Sequence, residues 1–430
     1  MWAGFKPLRE RSNPLKILYF CPQQVWPLTG GALLRNFHLA NALASRCSVT
    51  LLQLARPNEP RTAEWPATNF QKVLTFERDA AYTPRKIVSG LAGPMPLSVL
   101  NYASPAASAA LSDLLAQESF DAVQLESVHL LSYLDTIRQA PTQPAILADW
   151  HNIESELMAR YASNTGNWAK RLAAKRTAQL LARAERQLLL RADVHTVVSE
   201  RERQILLTLM PGSKVHVIPN GVDVAAFAGI QASGSGGTGA PVRNSVLYVG
   251  SMDYHANADA VIWFVREIWP AIENRFPGLT FTIAGRNPGP GVRALASPRV
   301  RVTGSIDDVR PYYAAARAVV VPLRVGSGTR LKILEAMAAG VPVVSTRLGA
   351  EGLSAVENLH LLLADTADEI SSALAQLLED AALAAGMARA ARTFVARHYD
   401  WPLIGEQLYK IHRDVYVSTQ SLKSSRPSLA

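Results

Sequence analysis

Val325-Gly326-Ser327-Gly328-Thr329-Arg330-Leu331-Lys332-Ile333-Leu334-Glu335-Ala336-Met337-Ala338-Ala339-Gly340 decides how the rest of the chain is read. Apolar runs at 318–321 and 341–345 flank it, so the spacing predicts a strand, a glycine-rich turn, a helix and a second strand. Such a unit suits a phosphorylated ligand. Gly326 and Gly328 let backbone approach the ligand, the helix start offers unpaired N–H groups, and Arg330 and Lys332 add positive charge. Glu335, one turn further in, is placed to accept hydrogen bonds from sugar hydroxyls. A plain turn with solvated charges is the alternative for any short glycine motif. The two flanking strands and the small residues Ala336, Ala338, Ala339 and Gly340, which permit close packing on a sheet, weigh against it.

Working outward, the same alternation recurs along the chain. Apolar runs at 16–20 and 49–54 enclose Thr29-Gly30-Gly31 and a helical stretch at 32–45, which is the first unit of a doubly wound sheet. A dinucleotide fingerprint is absent. Further strands are expected at 72–76, 122–125, 145–148, 194–198 and 215–218. Residues 79–105, with four prolines, read as irregular and as bordering an acceptor cleft. A second series follows at 245–249, 280–284, 300–303, 318–321 and 341–345. The expected fold class is therefore α/β, with two Rossmann-like, doubly wound parallel-sheet domains facing a cleft. Pro219-Asn220-Gly221 is a turn signal, and it sets the expected boundary at 1–220 and 221–400. A helix is expected at 401–417, a disordered tail at 418–430, and a flexible surface loop at the glycine- and serine-rich stretch 229–244.

Length and composition narrow the classes. A chain of 430 residues with 48% hydrophobic content is large enough for two cores. Cys21 and Cys47 match no metal spacing and support no disulfide framework, so a reducing, cytoplasmic setting is the simplest. No signal-peptide core and no apolar run of about 20 residues is found. The net charge of +9 favours an anionic partner. No zinc-finger, RNA-recognition or basic-zipper pattern speaks for nucleic acid, which is set aside as a partner. At helical spacing Arg171, Lys175, Arg176, Arg183 and Arg186 share one face, with Ala174, Leu181 and Leu188 on the other. That face is either solvated or in contact with an anionic leaflet, which would place the protein peripherally at an inner membrane.

The run Glu335-Ala336-Met337-Ala338-Ala339-Gly340-Val341-Pro342-Val343 resembles the signature of retaining glycosyltransferases of the GT-B fold, family 4 or group 1. The family usually carries two glutamates eight positions apart, and here the first is replaced by Ser327. The Gly-Ser-Gly-Thr-Arg-Leu-Lys variant resembles a subgroup from exopolysaccharide and surface-glycan clusters. The resemblance implies a nucleotide diphosphate sugar donor bound by the second domain, a glycan or lipid-linked acceptor on the first, no cofactor and no metal. No Asp-x-Asp pair stands at a strand end, so positive side chains would replace the cation.

Carried over residue by residue, the resemblance assigns leaving-group stabilisation to Arg330 and Lys332, with Gly328 and Thr329 beside the diphosphate and Glu335 on the ribose. Gly30, Gly31 and Arg35 correspond to the first-domain loop that approaches donor phosphate. Gly250 and Asn257 stand where relatives hold phosphate, though the usual cations are missing there. Arg286, Gly304 and Ile306 lie at strand ends that hold the base. In the first domain Glu126 takes the place of a strand-end histidine near the donor sugar. It is expected to orient the acceptor hydroxyl or accept its proton, unless it only caps or pairs. His151, in Asp149-Trp150-His151-Asn152, is an orienting group or an unremarkable histidine. Two rival functions remain: a nucleotide-sugar epimerase on the same fold, and a non-catalytic nucleotide-sugar-binding subunit.

Overall fold

The structure, a computed structural model, describes residues 14–28, 30–60, 65–234, 243–325 and 331–424. Among these residues thirteen strands form two sheets. The first contains β1 Lys16–Cys21, β2 Ser48–Ala55, β3 Lys72–Glu77, β4 Ala122–Glu126, β5 Ala145–Trp150, β6 Val194–Val197 and β7 Val215–Val217, in the order β3-β2-β1-β4-β5-β6-β7. The second contains β8 Ser245–Val249, β9 Thr280–Ala284, β10 Val300–Val302, β11 Ala316–Val321, β12 Val343–Ser345 and β13 Leu362–Leu363, in the order β10-β9-β8-β11-β12-β13.

Every pairing is parallel. Parallel strands need crossovers that cover both sheet faces, which is why β1, β2, β5 and β11 are near-continuous apolar runs, buried almost throughout. Leu18, Phe20, Val123 and Ile146 pack into one first-domain core, while Val246, Leu247, Val319 and Val320 anchor the second. The two-domain α/β architecture is as the sequence predicts.

In each sheet the strand order reverses once, between β1 and β4 and between β8 and β11. Helices leave opposite faces of the sheet at such a point, which opens a crevice beyond the carboxyl ends of the two strands. The fold therefore supplies two crevices, and their relation fixes the site.

The terminal helix, Trp401–Ser424, returns to the first domain. Trp401, Ile404 and Leu408 share an apolar cluster with Ile17, Tyr19, Phe37 and Leu39, and the Trp401 ring stacks on His38 at 5.1 Å. A Cβ at Gly221 would lie 2.7 Å from Trp401, so the crossover between the sheets passes directly under this helix.

Three expectations change. The terminal helix runs on to Ser424 rather than ending at 417, and 425–430 lie outside the described residues. Residues 79–105 are not irregular. Pro84 opens the helix Pro84–Ala92, capped by the Thr83 hydroxyl, and Pro105 opens Pro105–Gln117, capped by Ser104. Proline at the first helical position costs no hydrogen bond, so these prolines mark helix starts. Third, β13 was not anticipated, because two residues carry too little periodicity to be recognised. Of the expected loop 229–244, residues 235–242 lie outside the described residues.

Candidate active site

The two crevices open onto one cleft of about 660 Å³. Pro22 and Gln23, beyond β1, and Ser127, beyond β4, line it from the first domain. Val249 to Ser251, at the end of β8, and Leu323, beyond β11, line it from the second. Both reversal points thus face the same space, whose volume suits a small-molecule ligand.

On the second-domain side, the helix Leu331–Ala338 begins at the cleft, so its positive dipole end faces the ligand space. Lys332 and Glu335 line the cleft as the motif predicts. The Lys332 ammonium donates to the Tyr248 hydroxyl at 2.8 Å and to Asn257 Oδ1 at 2.9 Å, and lies 4.1 Å from the Tyr248 ring centroid. Tyr248 in turn donates to Asn257 Oδ1, and the Asn257 amide donates to the Ser251 carbonyl. A Cβ at Gly250 would stand 3.0 Å from Lys332 Nζ and 2.9 Å from the Asn257 amide nitrogen, so glycine there leaves room for the cation. Lys332 is thereby held in one place on the cleft wall.

Glu335, on the same helix, stands on the cleft wall. It accepts a hydrogen bond from the buried Tyr313 hydroxyl at 2.9 Å. Burial pushes its carboxyl up to about 7, against the opposing pull of Tyr313 and Lys332. Gly328, Thr329 and Arg330 lie outside the described residues.

Arg286 lines the cleft and donates to the Ser251 hydroxyl at 2.8 Å. It also reaches the first domain: a Cβ on Gly30 would lie 3.8 Å from its guanidinium, and one on Gly31 would lie 3.1 Å from Leu331. The glycine pair therefore lets the two domains approach across the cleft. Gly304 and Ile306 are not among the cleft-lining residues. Ile306 lines a separate surface groove along β9 and β10.

Arg35, expected beside the donor phosphate, also lines the cleft. Its guanidinium is 1% exposed and grips Asp149 with two bonds of 2.7 and 2.8 Å, while Nη1 donates to the Pro219 carbonyl and to Asn220 Oδ1 at 3.0 Å. These bonds use four of the five guanidinium N–H donors. Arg35 is committed to fastening β5 and the interdomain crossover to the first helix, Gly31–Ala44.

The remaining first-domain groups form a buried network. β4 and β5 pair with Glu126 opposite Asp149, and the alternation of a strand puts His151 on the same side as Asp149. His151 Nε2 lies 2.8 Å from Glu126 and 3.3 Å from Asp149. Burial alone would push the imidazole pKa down, but its hydrogen bonds to Asp149 and Glu126 outweigh that and hold it up at about 9. Burial also pushes the Asp149 carboxyl up, yet Arg35 outweighs it and holds Asp149 well below the usual carboxylate range. Burial raises the Glu126 carboxyl, with the charge of Asp149 adding to it.

Glu126 is 0% exposed, which corrects the expectation that it meets the acceptor hydroxyl. Its carboxylate instead meets His151, which lines the cleft. The histidine of this site therefore comes from β5, next to the strand where the resemblance placed it. Behind Glu126, the Gln124 amide donates to Glu126 Oε1 at 2.7 Å, and Gln124 Oε1 accepts from His412 Nε2 of the terminal helix at 2.6 Å. Neither Gln124 nor His412 was anticipated. The i, i+2 spacing of Gln124 and Glu126, like that of Asp149 and His151, was the available signal.

Glu126, Asp149 and His151 bring one ligand atom each within 4.8 Å of one another. Their atoms are already engaged: Asp149 by Arg35 and Thr196, Glu126 by Gln124 and His151. The positive charge of Arg35 sits against Asp149, and the two carboxylates favour the protonated form of His151. Ser127, the next residue, holds φ at 89°, a region that disfavours side chains, and its hydroxyl meets His129 Nδ1 at 2.6 Å.

Residues 243–380 match the family described as Glycosyl transferases group 1, and residues 29–226 match Glycosyltransferase Family 4. A phosphatidyl-myo-inositol mannosyltransferase of Mycolicibacterium smegmatis is 32% identical over 212 residues, covering 47% of this chain and 53% of that protein. The chain thus spans about half the length of the curated relatives it matches. Among solved structures, sucrose-phosphate synthase from Thermosynechococcus elongatus superposes with a TM-score of 0.69 at 20% identity, over 94% of this chain and 100% of that one. Anabaena Alr3699/HepE in complex with UDP gives 0.61 at 16% identity, over 93% and 100%. These likenesses establish the GT-B fold.

Proposed function

We propose, from the premise that this chain belongs to the group 1 and family 4 glycosyltransferases, that it moves a hexose from a nucleotide diphosphate sugar to a glycan or lipid-linked acceptor with retention of configuration. The observation that carries the proposal is the single cleft faced by both sheet reversals, with Lys332 and Glu335 on one wall and His151 on the other. The anomeric C–O bond to the diphosphate breaks, the acceptor oxygen forms the new bond, and the acceptor proton leaves with the diphosphate. Lys332, together with Arg330, neutralises charge growing on the departing diphosphate. Glu335 accepts the ribose hydroxyls. His151, protonated and held by Glu126 and Asp149, donates to oxygens at the reacting centre and does not serve as a base. Positive side chains thus stand in for a metal.

Support for a lipid-linked acceptor comes from a relative whose name specifies phosphatidyl-myo-inositol, and from one surface of this chain. In the helix Trp168–Arg191, Arg171, Lys175, Arg176, Arg183 and Arg186 are exposed while Ala174, Leu181 and Leu188 are buried, as the sequence predicts. Trp168 and Leu172, 77% and 63% exposed, add apolar anchors beside the cations. That combination suits an anionic leaflet. No described helix is long and apolar enough to cross a membrane. The subgroup resemblance of the glycine motif favours a role in exopolysaccharide or surface-glycan assembly.

Two results are expected here. Lys332→Ala weakens binding of the cognate nucleotide diphosphate and lowers turnover about a hundredfold, as loss of one transition-state contact commonly does. Unchanged kinetics would remove Lys332 from the reaction. Glu335 binds hydroxyls best when ionised, so the affinity advantage of the wild type over Glu335→Gln grows as pH rises through about 7. A pH-independent ratio, measured by calorimetry from pH 6 to 8, would show that Glu335 does not meet the nucleotide.

The reaction itself is tested with a panel of nucleotide diphosphate hexoses and lipid or glycan acceptors, reading nucleotide release and the anomeric configuration of the product by NMR. Transfer with retention is the expected result. An inverted product would overturn the retaining mechanism, and no release from any donor would favour the non-catalytic subunit.

A further inference from the structure

Beside the main cleft lies a second cavity of about 680 Å³, joined to it through Gly30, Gly31, Tyr102 and Arg286. Arg56, immediately after β2, and Arg78, immediately after β3, line it together with Arg286. Among the described residues Glu59 is the one acidic lining group, and its carboxylate accepts the Arg56 backbone N–H at 2.7 Å.

Arg78 carries the argument. It is only 6% exposed, and its guanidinium lies 4.8 Å from the Tyr102 ring centroid. Its side chain donates to two backbone carbonyls, Asn101 at 2.6 Å and Asp79 at 3.4 Å. Among the described residues no carboxylate stands within ion-pair distance of Arg78 or Arg56. A guanidinium taken out of water is normally paired with an anion, because carbonyl dipoles compensate its charge only in part. The planar fork of arginine fits phosphate oxygens in pairs.

Resting on the glycosyltransferase reading above, we propose that this cavity is an acceptor subsite for a phosphate group, so that the acceptor carries a phosphomonoester or phosphodiester beside the hydroxyl that is glycosylated. Arg78 and Arg56 grip the phosphate, and Tyr102, shared by both cavities, spaces it from the reacting centre. The donor diphosphate remains with the Lys332 wall.

The test titrates inorganic phosphate, glucose 6-phosphate and glycerophosphoinositol into the full-length protein, with and without a bound nucleotide diphosphate, beside uncharged glucose and inositol. The phosphate-bearing probes are expected to bind at least about tenfold more tightly than the uncharged sugars. Preference for the monoester identifies a free sugar phosphate as the source, and preference for the diester a lipid headgroup. Arg78→Gln and the exposed-site variant Arg56→Ala are each expected to remove most of that advantage. Equal binding of charged and uncharged probes, or undiminished phosphate binding in both folded variants, overturns the subsite. Failure of every nucleotide to bind the wild type would instead overturn the glycosyltransferase reading, whatever the phosphate titration shows.

Discussion

Replacing His151 with alanine lowers kcat about a hundredfold to a thousandfold while leaving nucleotide affinity nearly unchanged. The magnitude is that of losing a preorganised donor at the reacting centre. The split between kcat and affinity follows from position, because His151 stands on the first-domain wall and Lys332 and Glu335 on the second. A matching loss of nucleotide affinity would place His151 at the donor diphosphate instead.

The same residue makes stability depend on pH. Its folded pKa of about 9 exceeds the ordinary 6.5, so between those values the folded chain holds a proton that the unfolded chain releases. The stabilisation is complete below pH 6.5 and is lost as pH rises through about 9. Burial pushes His129 and His195 down to about 4, so they titrate below this window. The wild type should therefore lose thermal stability between pH 7 and 9, and His151→Ala should show a flatter profile there. A wild type equally stable at both pH values would mean that His151 is not held protonated.

The second large effect is on folding. Asp149→Asn leaves the Arg35 guanidinium buried without its carboxylate, and removing one partner of such a pair costs about 3–5 kcal/mol. Urea unfolding reads this directly. Arg35→Met should cost a similar amount, since it strands Asp149 and also frees Pro219 and Asn220 at the interdomain crossover. The double variant is expected to lose clearly less than the sum of the two, because no unpaired charge remains. Strict additivity would show that the pair is not coupled. Full stability in Asp149→Asn would mean that Arg35 finds another partner.

What could be read from the sequence was what short-range pattern encodes. The apolar runs and glycine turns placed the strands of both sheets to within a residue or two, apart from the two-residue β13. Lys332 and Glu335 were legible because they sit on one helix beside a recognisable motif. The engagement of Arg35 was hidden for the complementary reason. It follows a glycine pair, and only the partnership with Asp149, 114 residues away, shows that its charge is already taken. The Glu126–His151 contact depends on the register of β4 against β5, and the link from His412 to Gln124 spans 288 residues. No local pattern announces such pairings. The buried state of Arg78 was hidden for a similar reason, because the prolines around it suggested irregular chain where capped helices form.

The central claim is that the shared cleft binds a nucleotide diphosphate through the helix that begins at Leu331. It is tested most directly by the melting temperature of the wild type and of Lys332→Ala with UDP, GDP, ADP and TDP, since a ligand that binds only the folded chain raises it. A clear rise with one nucleotide for the wild type, reduced or absent for Lys332→Ala, is the predicted result. No rise with any nucleotide, or an equal rise in both proteins, would contradict it.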